Sequence, residues 1–383
     1  MNDVLGRLAA EGVALRLEGV DRRAVSSGEL VSAVRAWGLS GVALHPAAVA
    51  AGVRDGGAYT AQLRDLALRG VGGADGVRHL LAHDARWACE AVLPVFDSDG
   101  RGSGCAALPV PPWWSADPGR LLAEARALRW EVDRPNLLLD VAAGPLAART
   151  AEDLLAEGIG VQVSGAAVSD VARAAGAFLN GLERARAAGH RLAGLRCVVS
   201  VPLPTLGAAF AGVLPTASDG AGTRDPVLAC ARFAYHEYEE GLAGPRWDSL
   251  AADGARPWEL SWSLAGPGGE DTAAGASGAE LLVGWGTSVG GGVRELAAFL
   301  EHGVAVPENL SGELAAARRT EAWAEGLGVD LRGVAAGSAR RRRAAERAAW
   351  RMLYTAVSDS LRSFGPDQRE RPPRISERKS ERG

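Results

Sequence analysis

Asp140 is a lone carboxylate in an apolar run, with Leu137–Ala142 reading LLLDVA. Burial raises a carboxyl pKa toward neutrality, where the group can serve as a general acid or base, and a nearby cation lowers it. Arg16, in the run ALRL, is the obvious candidate cation. Asp140 therefore reads either as an acid–base group or as half of a buried Arg16–Asp140 pair. His45 stands directly after a β-type run and before Pro46. It reads as a catalytic imidazole at a strand end or as a turn histidine bonded to backbone. His79 and His83 are spaced i, i+4 with Asp84 adjacent, but no second cluster completes a metal site. With His190, His236 and His302 they read as surface residues. No metal and no organic cofactor is expected.

Of 42 basic residues only Lys379, near the C-terminal end, is a lysine. Phosphate loops of the Walker type, pyridoxal enzymes and Schiff-base aldolases all require a lysine inside the fold, so the composition excludes them. The four cysteines, Cys89, Cys105, Cys197 and Cys230, lie far apart without a CxxC, which argues against zinc or a disulfide framework. A reduced, cytoplasmic thiol set is the expectation. The formal net charge of −4 over 383 residues offers no field to recruit nucleic acid or membrane. No apolar run approaches a membrane span, and the polar start is not a signal peptide.

The elements that must position these groups alternate. Hydrophobic residues make up 47% of the chain, enough for a sizeable core. Eight β-type runs recur: Gly12–Leu17, Gly41–His45, Cys105–Val110, Asn136–Val141, Gly160–Val163, Leu195–Leu203, Glu259–Leu264 and Leu281–Ser288. Several are apolar throughout, as strands buried on both faces are. Between them lie segments of helical period. Ser26 and Glu29 suit a capping box ahead of Leu30, Asp117 and Pro118 suit an N-cap and first position, and Glu152–Glu157, Val168–Ala188 and Asp225–Leu242 read as helices. Eight strand–helix units favour a closed (β/α)8 TIM barrel of the α/β class, a single domain over residues 1–364 with a C-terminal helix. No GxGxxG falls between a strand and a helix, so no dinucleotide site is indicated. Gly266–Gly278 reads as a mobile loop and 365–383 as a disordered polar tail. The run Arg340–Arg343 reads as the solvated start of the helix carrying Trp350 and Leu353 rather than as a nucleic-acid patch.

Several stretches resemble the transaldolase family, in the form common in bacteria of high-G+C genomes. The clearest are DRPNLLLDV (Asp133–Val141), LLAEGIGVQVS (Leu154–Ser164), FLNGLERARAAGHRL (Phe178–Leu192) and WDSLAADGAR (Trp247–Arg256). Weaker ones are SGELVSAV (Ser27–Val34), AYTAQLRDLALRG (Ala58–Gly70) and FLEHGV (Phe299–Val304), so the resemblance runs in one order from about Gly12 to Leu361. It implies a (β/α)8 barrel and a lysine on the fourth strand, in a pattern like PNL-hydrophobic-hydrophobic-Lys. That lysine's amine would attack a ketose carbonyl. Here the pattern ends in Asp140, and a carboxylate cannot form the iminium adduct.

The other positions implied by the resemblance depart as well. The first-strand acid falls on Arg16, the Thr-Asn-Pro turn becomes Leu44-His45-Pro46, and the third-strand glutamate falls on Pro109. The fifth strand keeps polar character at Gln162 and Ser164, and the sixth keeps Ser200. The phosphate arginine falls on Thr205, and the Ser-Thr-Gly-x-Lys after the seventh strand reads Leu264-Ala265-Gly266-Pro267-Gly268. Losses concentrate at strand ends, where a barrel keeps its working residues, while helix and core segments stay recognisable. The expectation is a barrel retained without transaldolase activity, a pseudoenzyme binding a small molecule or a protein partner. The alternative is a repurposed enzyme doing non-covalent acid–base chemistry of lyase, isomerase or cyclase type with Asp140, His45 and Arg16. Gln162, Ser164 and Ser200 would bind the ligand, and Trp113 and Trp114 would make the mouth apolar or else pack on the rim. The exposed helices permit a monomer or a homodimer.

Overall fold

Eight strands close into one parallel barrel in the computed structural model, which describes residues 3–98, 103–214, 225–266, 282–302 and 306–365. They are β1 (Ala14–Val20), β2 (Leu39–Leu44), β3 (Cys105–Pro109), β4 (Leu137–Ala142), β5 (Gly160–Ser164), β6 (Cys197–Pro202), β7 (Glu259–Ser263) and β8 (Thr287–Gly291). Each pairs with the next, and β8 closes on β1 through Ala14–Ser288 and Arg16–Gly290. Helices cover the outside, so the strands are buried on both faces, as their apolar runs require. The α/β barrel class expected from the alternation is the fold observed.

Seven strands largely coincide with their expected runs, and the eighth is displaced, sharing only Thr287 and Ser288 with its run. Leu281 lies outside the described residues, and Leu282 and Val283 are buried ahead of a turn at Trp285 and Gly286. The ladder to β1 and β7 begins only at Thr287. The strand is hard to see in sequence because Gly290 and Gly291 lower its β character. Gly290 has a packing reason: a Cβ there would stand 2.4 Å from a Glu18 carboxylate oxygen. Gly41 on β2 does the same for the Arg16 guanidinium, 2.6 Å from the Cβ it lacks.

The barrel interior is divided. Ala43, Cys105, Ala107, Leu138 and Val198 form a small apolar cluster on one side. Arg16, Gln162, Ser261 and Ser288 are buried polar groups in the same strand ladder.

Among the helices, Asp117 caps Pro118–Val132 by accepting the Arg120 N–H, as expected. The Ser26–Glu29 capping box does not form. Gly28, at φ 82°, is the N-cap of Glu29–Trp37, and the Ser27 hydroxyl accepts the Glu29 N–H instead. The C-terminal helix, Leu331–Phe364, is 34 residues long. Trp350, Leu353 and Val357 anchor it against helices Pro46–Asp55, Thr60–Leu68 and Gly73–Ser98. The Arg340–Arg343 run lies inside this helix, not at a solvated start. Arg340 and Arg341 are exposed, but Arg342 is buried and its Nη1 donates to the carbonyls of Ala265 and Gly266 after β7. Most of the Gly266–Gly278 loop and of the 365–383 tail lies outside the described residues.

Candidate functional site

The C-terminal ends of the strands converge on a cavity of about 50 Å³ roofed by the C-terminal helix. Glu18, His45, Asp140, Ser164, Ser200 and Ser263 supply its polar walls, and Arg342, Arg343 and Glu346 supply its roof. Apolar contributions come from Ala43, Leu44, Pro109, Val110 and Ala142. Space of this size holds a few water molecules.

Asp140 projects from β4 into this mouth and accepts a 2.6 Å hydrogen bond from the Ser164 hydroxyl on β5. Its carboxyl is pushed up to about 7, first by burial, with the charges of Glu346 and Glu18 adding to the effect. The Ser164 hydrogen bond and His45 oppose it. A carboxyl in that range can hold or release a proton near neutral pH.

Arg16 does not pair with Asp140. Its Nη2 donates to Gln162 Oε1 at 2.9 Å and its Nη1 reaches Glu259 Oε1 at 3.4 Å, deeper in the barrel. Side chains on a strand alternate between faces, so Arg16 and Glu18 share the inward face of β1, with Glu18 nearer the mouth. The first-strand acid facing the mouth is therefore Glu18, two residues beyond the position where the resemblance sets it. Its Oε2 accepts from the Ser263 hydroxyl at 2.6 Å.

His45 lines the mouth with both ring nitrogens engaged. Nδ1 accepts the Ala47 N–H at 3.2 Å as the N-cap of Pro46–Asp55, which leaves the proton on Nε2 to face Glu346 Oε2 at 3.2 Å. Burial works to raise the Glu346 pKa, but His45 and Arg342 outweigh it and hold the carboxyl below its ordinary range. Arg343 passes over the turn after β4, its Cδ 3.5 Å from the Cβ that Gly144 lacks, and Arg342 passes over Gly165 after β5 in the same way.

Gln162, Ser164 and Ser200 line the mouth. Trp113 and Trp114 do not line it. Trp113 packs on the C-terminal helix, its ring 5.9 Å from Trp350 and 5.4 Å from Tyr354, and Trp114 is buried behind it. The mouth is accordingly more polar than an apolar reading of Trp113 and Trp114 suggests. Thr205 is buried on the helix Leu203–Ala211, and Pro267 and Gly268 lie outside the described residues.

His79, His83 and His236 are less exposed than expected. His79 bonds Glu131 at 2.6 Å, and His83 packs on Trp87 with its pKa lowered, first by burial. His190 is exposed and His236 half-buried. The side chain of His302 lies outside the description. Asp84 turns inward, to Arg22 Nε at 2.6 Å and the Tyr59 hydroxyl at 2.8 Å.

Glu18, Ser263, Arg342, Arg343 and Glu346 are absent from the expected site residues. Two signals existed for them. Period two along β1 and β7 places Glu18 with Arg16 and Ser263 with Ser261. Helical period places Arg342 and Glu346 on the buried stripe of Trp350, Leu353 and Val357.

No protein-family model matches the chain. Curated relatives do. The chain is 34% identical over 367 residues to a transaldolase of Acidothermus cellulolyticus, covering 94% of this chain and 98% of that one. It is 33% identical over 376 residues to transaldolase 1 of Streptomyces avermitilis, covering 95% and 97%. It is 34% identical over 338 residues to a transaldolase of Thermobifida fusca, covering 86% and 91%.

Proposed function

The chain belongs to the transaldolase family, and we propose that it is a member without covalent aldol transfer, whose barrel mouth binds a small, non-phosphorylated polar molecule. One observation carries this reading. The fourth strand offers the mouth Asp140, and the sequence from Met1 to Arg378 contains no lysine to replace it. Imine formation needs an amine nucleophile, and neither carboxylate nor guanidinium supplies one. The serine hydroxyls, Asp140 and Glu18 suit hydroxyl-bearing ligands, which donate and accept hydrogen bonds. A phosphate monoester lacks the arginine the resemblance implies, since that position is the buried Thr205. Of the two roof arginines, Arg342 has its Nη1 committed to two carbonyls, which leaves Arg343 as the main cation a phosphate would meet.

A second reading rests on Asp140 itself. Its pKa of about 7 in a mouth shared with the His45–Glu346 pair suits non-covalent proton transfer of lyase, isomerase or cyclase type. The two readings part at Asp140→Asn. A binder keeps its ligand, whereas an enzyme loses turnover while binding survives. Among the described residues no helix is long and apolar enough to cross a membrane. The four thiols are buried and none forms a disulfide, in keeping with a reducing cytoplasmic setting.

A thermal-shift comparison tests the proposal. Fructose 6-phosphate, sedoheptulose 7-phosphate and the matching free sugars would be added to the full chain. A ligand at ~100 times its Kd adds ~2.7 kcal/mol, a readable rise in Tm. The expected result is a rise with free sugars and none with their phosphates. A rise with the phosphates would contradict the proposal, and no rise with any would favour a protein partner.

A further inference from the structure

Three hydrogen bonds run from the depth of the barrel to the mouth with their donors all pointing the same way. Arg16 Nη2 donates to Gln162 Oε1 at 2.9 Å, Gln162 Nε2 donates to Ser164 Oγ at 3.0 Å, and Ser164 Oγ donates to Asp140 Oδ1 at 2.6 Å. Arg16 and Gln162 are each only 3% exposed, so water does not compete for these bonds. The other arm of Arg16 is anchored by Glu259, whose Oε1 also accepts from the Ser288 hydroxyl.

The order of donors is forced. A guanidinium donates and cannot accept, so the Gln162 oxygen must face Arg16 and its amide nitrogen must face Ser164. The Ser164 oxygen then accepts a hydrogen bond from the Gln162 amide, and its own hydroxyl donates to Asp140 Oδ1. Aligned bonds of this kind polarise one another in a low-dielectric interior. A buried cation thus acts on a carboxyl it does not touch.

We propose that Arg16, acting through Gln162 and Ser164, is a positioning residue for Asp140. The chain reserves Oδ1 as an acceptor and leaves Oδ2 as the atom that gains and loses the proton toward the mouth. Glu18 from β1, His45 after β2 and Glu346 from the C-terminal helix act on the same carboxyl, and Arg342 and Arg343 line the same mouth. None of these groups belongs to the hydrogen-bonded series from Arg16 to Asp140. The inference deepens the functional reading above and rests on Asp140 being the proton-bearing group of that mouth.

The test is a carbon-13 NMR titration of the Asp140 carboxyl in the full chain, assigned with Asp140→Asn. Ser164→Ala is expected to raise the midpoint by about one unit, a tenfold gain in proton affinity, because a bond to the charged form is lost. Ser164→Thr keeps the hydroxyl and is expected to restore the wild-type midpoint. Gln162→Leu cuts the link to Arg16 and is expected to give a smaller rise in the same direction. It carries the test even if Arg16→Met, which strands Glu259, fails to fold. The proposal is overturned if Ser164→Ala leaves the midpoint unchanged, if Ser164→Thr fails to restore it, or if Gln162→Leu has no effect. The midpoint is read without any ligand. A failure of the functional reading would instead appear as a covalent adduct with fructose 6-phosphate.

Discussion

At the scale of single residues, Asp140 is held between burial, which favours its neutral form, and the Ser164 hydrogen bond, which favours the charged one. Its folded pKa of about 7 lies above the ordinary 3.8. A carboxyl shifted upward binds its proton more tightly in the folded state, so its ionisation subtracts stability as pH rises from about 4 through about 7. Urea melts at pH 5 and pH 8 should therefore show Asp140→Asn gaining stability over the wild type at pH 8. At pH 5 the two should differ much less. Asp84 presents the opposite case despite a pKa raised to about 6, first by burial, because it neutralises the buried Arg22. Asp84→Ala strands that guanidinium and should cost ~3–5 kcal/mol in the same melts. The sequence made Asp140, Gln162, Ser164 and Ser200 legible as inward-facing strand residues. It misassigned Arg16 because an unpaired-looking cation and anion invite a direct bond, whereas the fold interposes two neutral side chains.

At the scale of elements, the C-terminal helix does two jobs that composition separates poorly. Trp350, Leu353 and Val357 fasten it to the barrel, and one to two turns earlier Arg342 and Glu346 roof the mouth. Trp350→Ala should cost ~3–5 kcal/mol by chemical denaturation, as large-to-small changes at fully buried aromatics do. Asp117→Ala removes the side-chain acceptor for the Arg120 N–H and should cost ~1 kcal/mol. Strand and helix order was readable from periodicity, including the Asp117 cap. Two features were not. The β8 strand is masked by Gly290, which leaves room for Glu18, and by Gly291 beside it, and the arginine run reads as solvated until the helix stripe through Trp350 turns Arg342 inward.

At the scale of the whole molecule, a family barrel is kept while the group at the centre of its mouth is a carboxylate. The closed eight-strand barrel and a match spanning 94% of this chain and 98% of a curated transaldolase agree on the frame. Lys379 is the sole lysine of the chain, so no lysine amine lies between Met1 and Arg378. The most direct measurement incubates the full chain with fructose 6-phosphate and borohydride and maps any mass gain by peptide mass spectrometry. The account predicts no substrate-dependent adduct between Gly12 and Leu361. A reduced ketose adduct on any residue lining the mouth would contradict it.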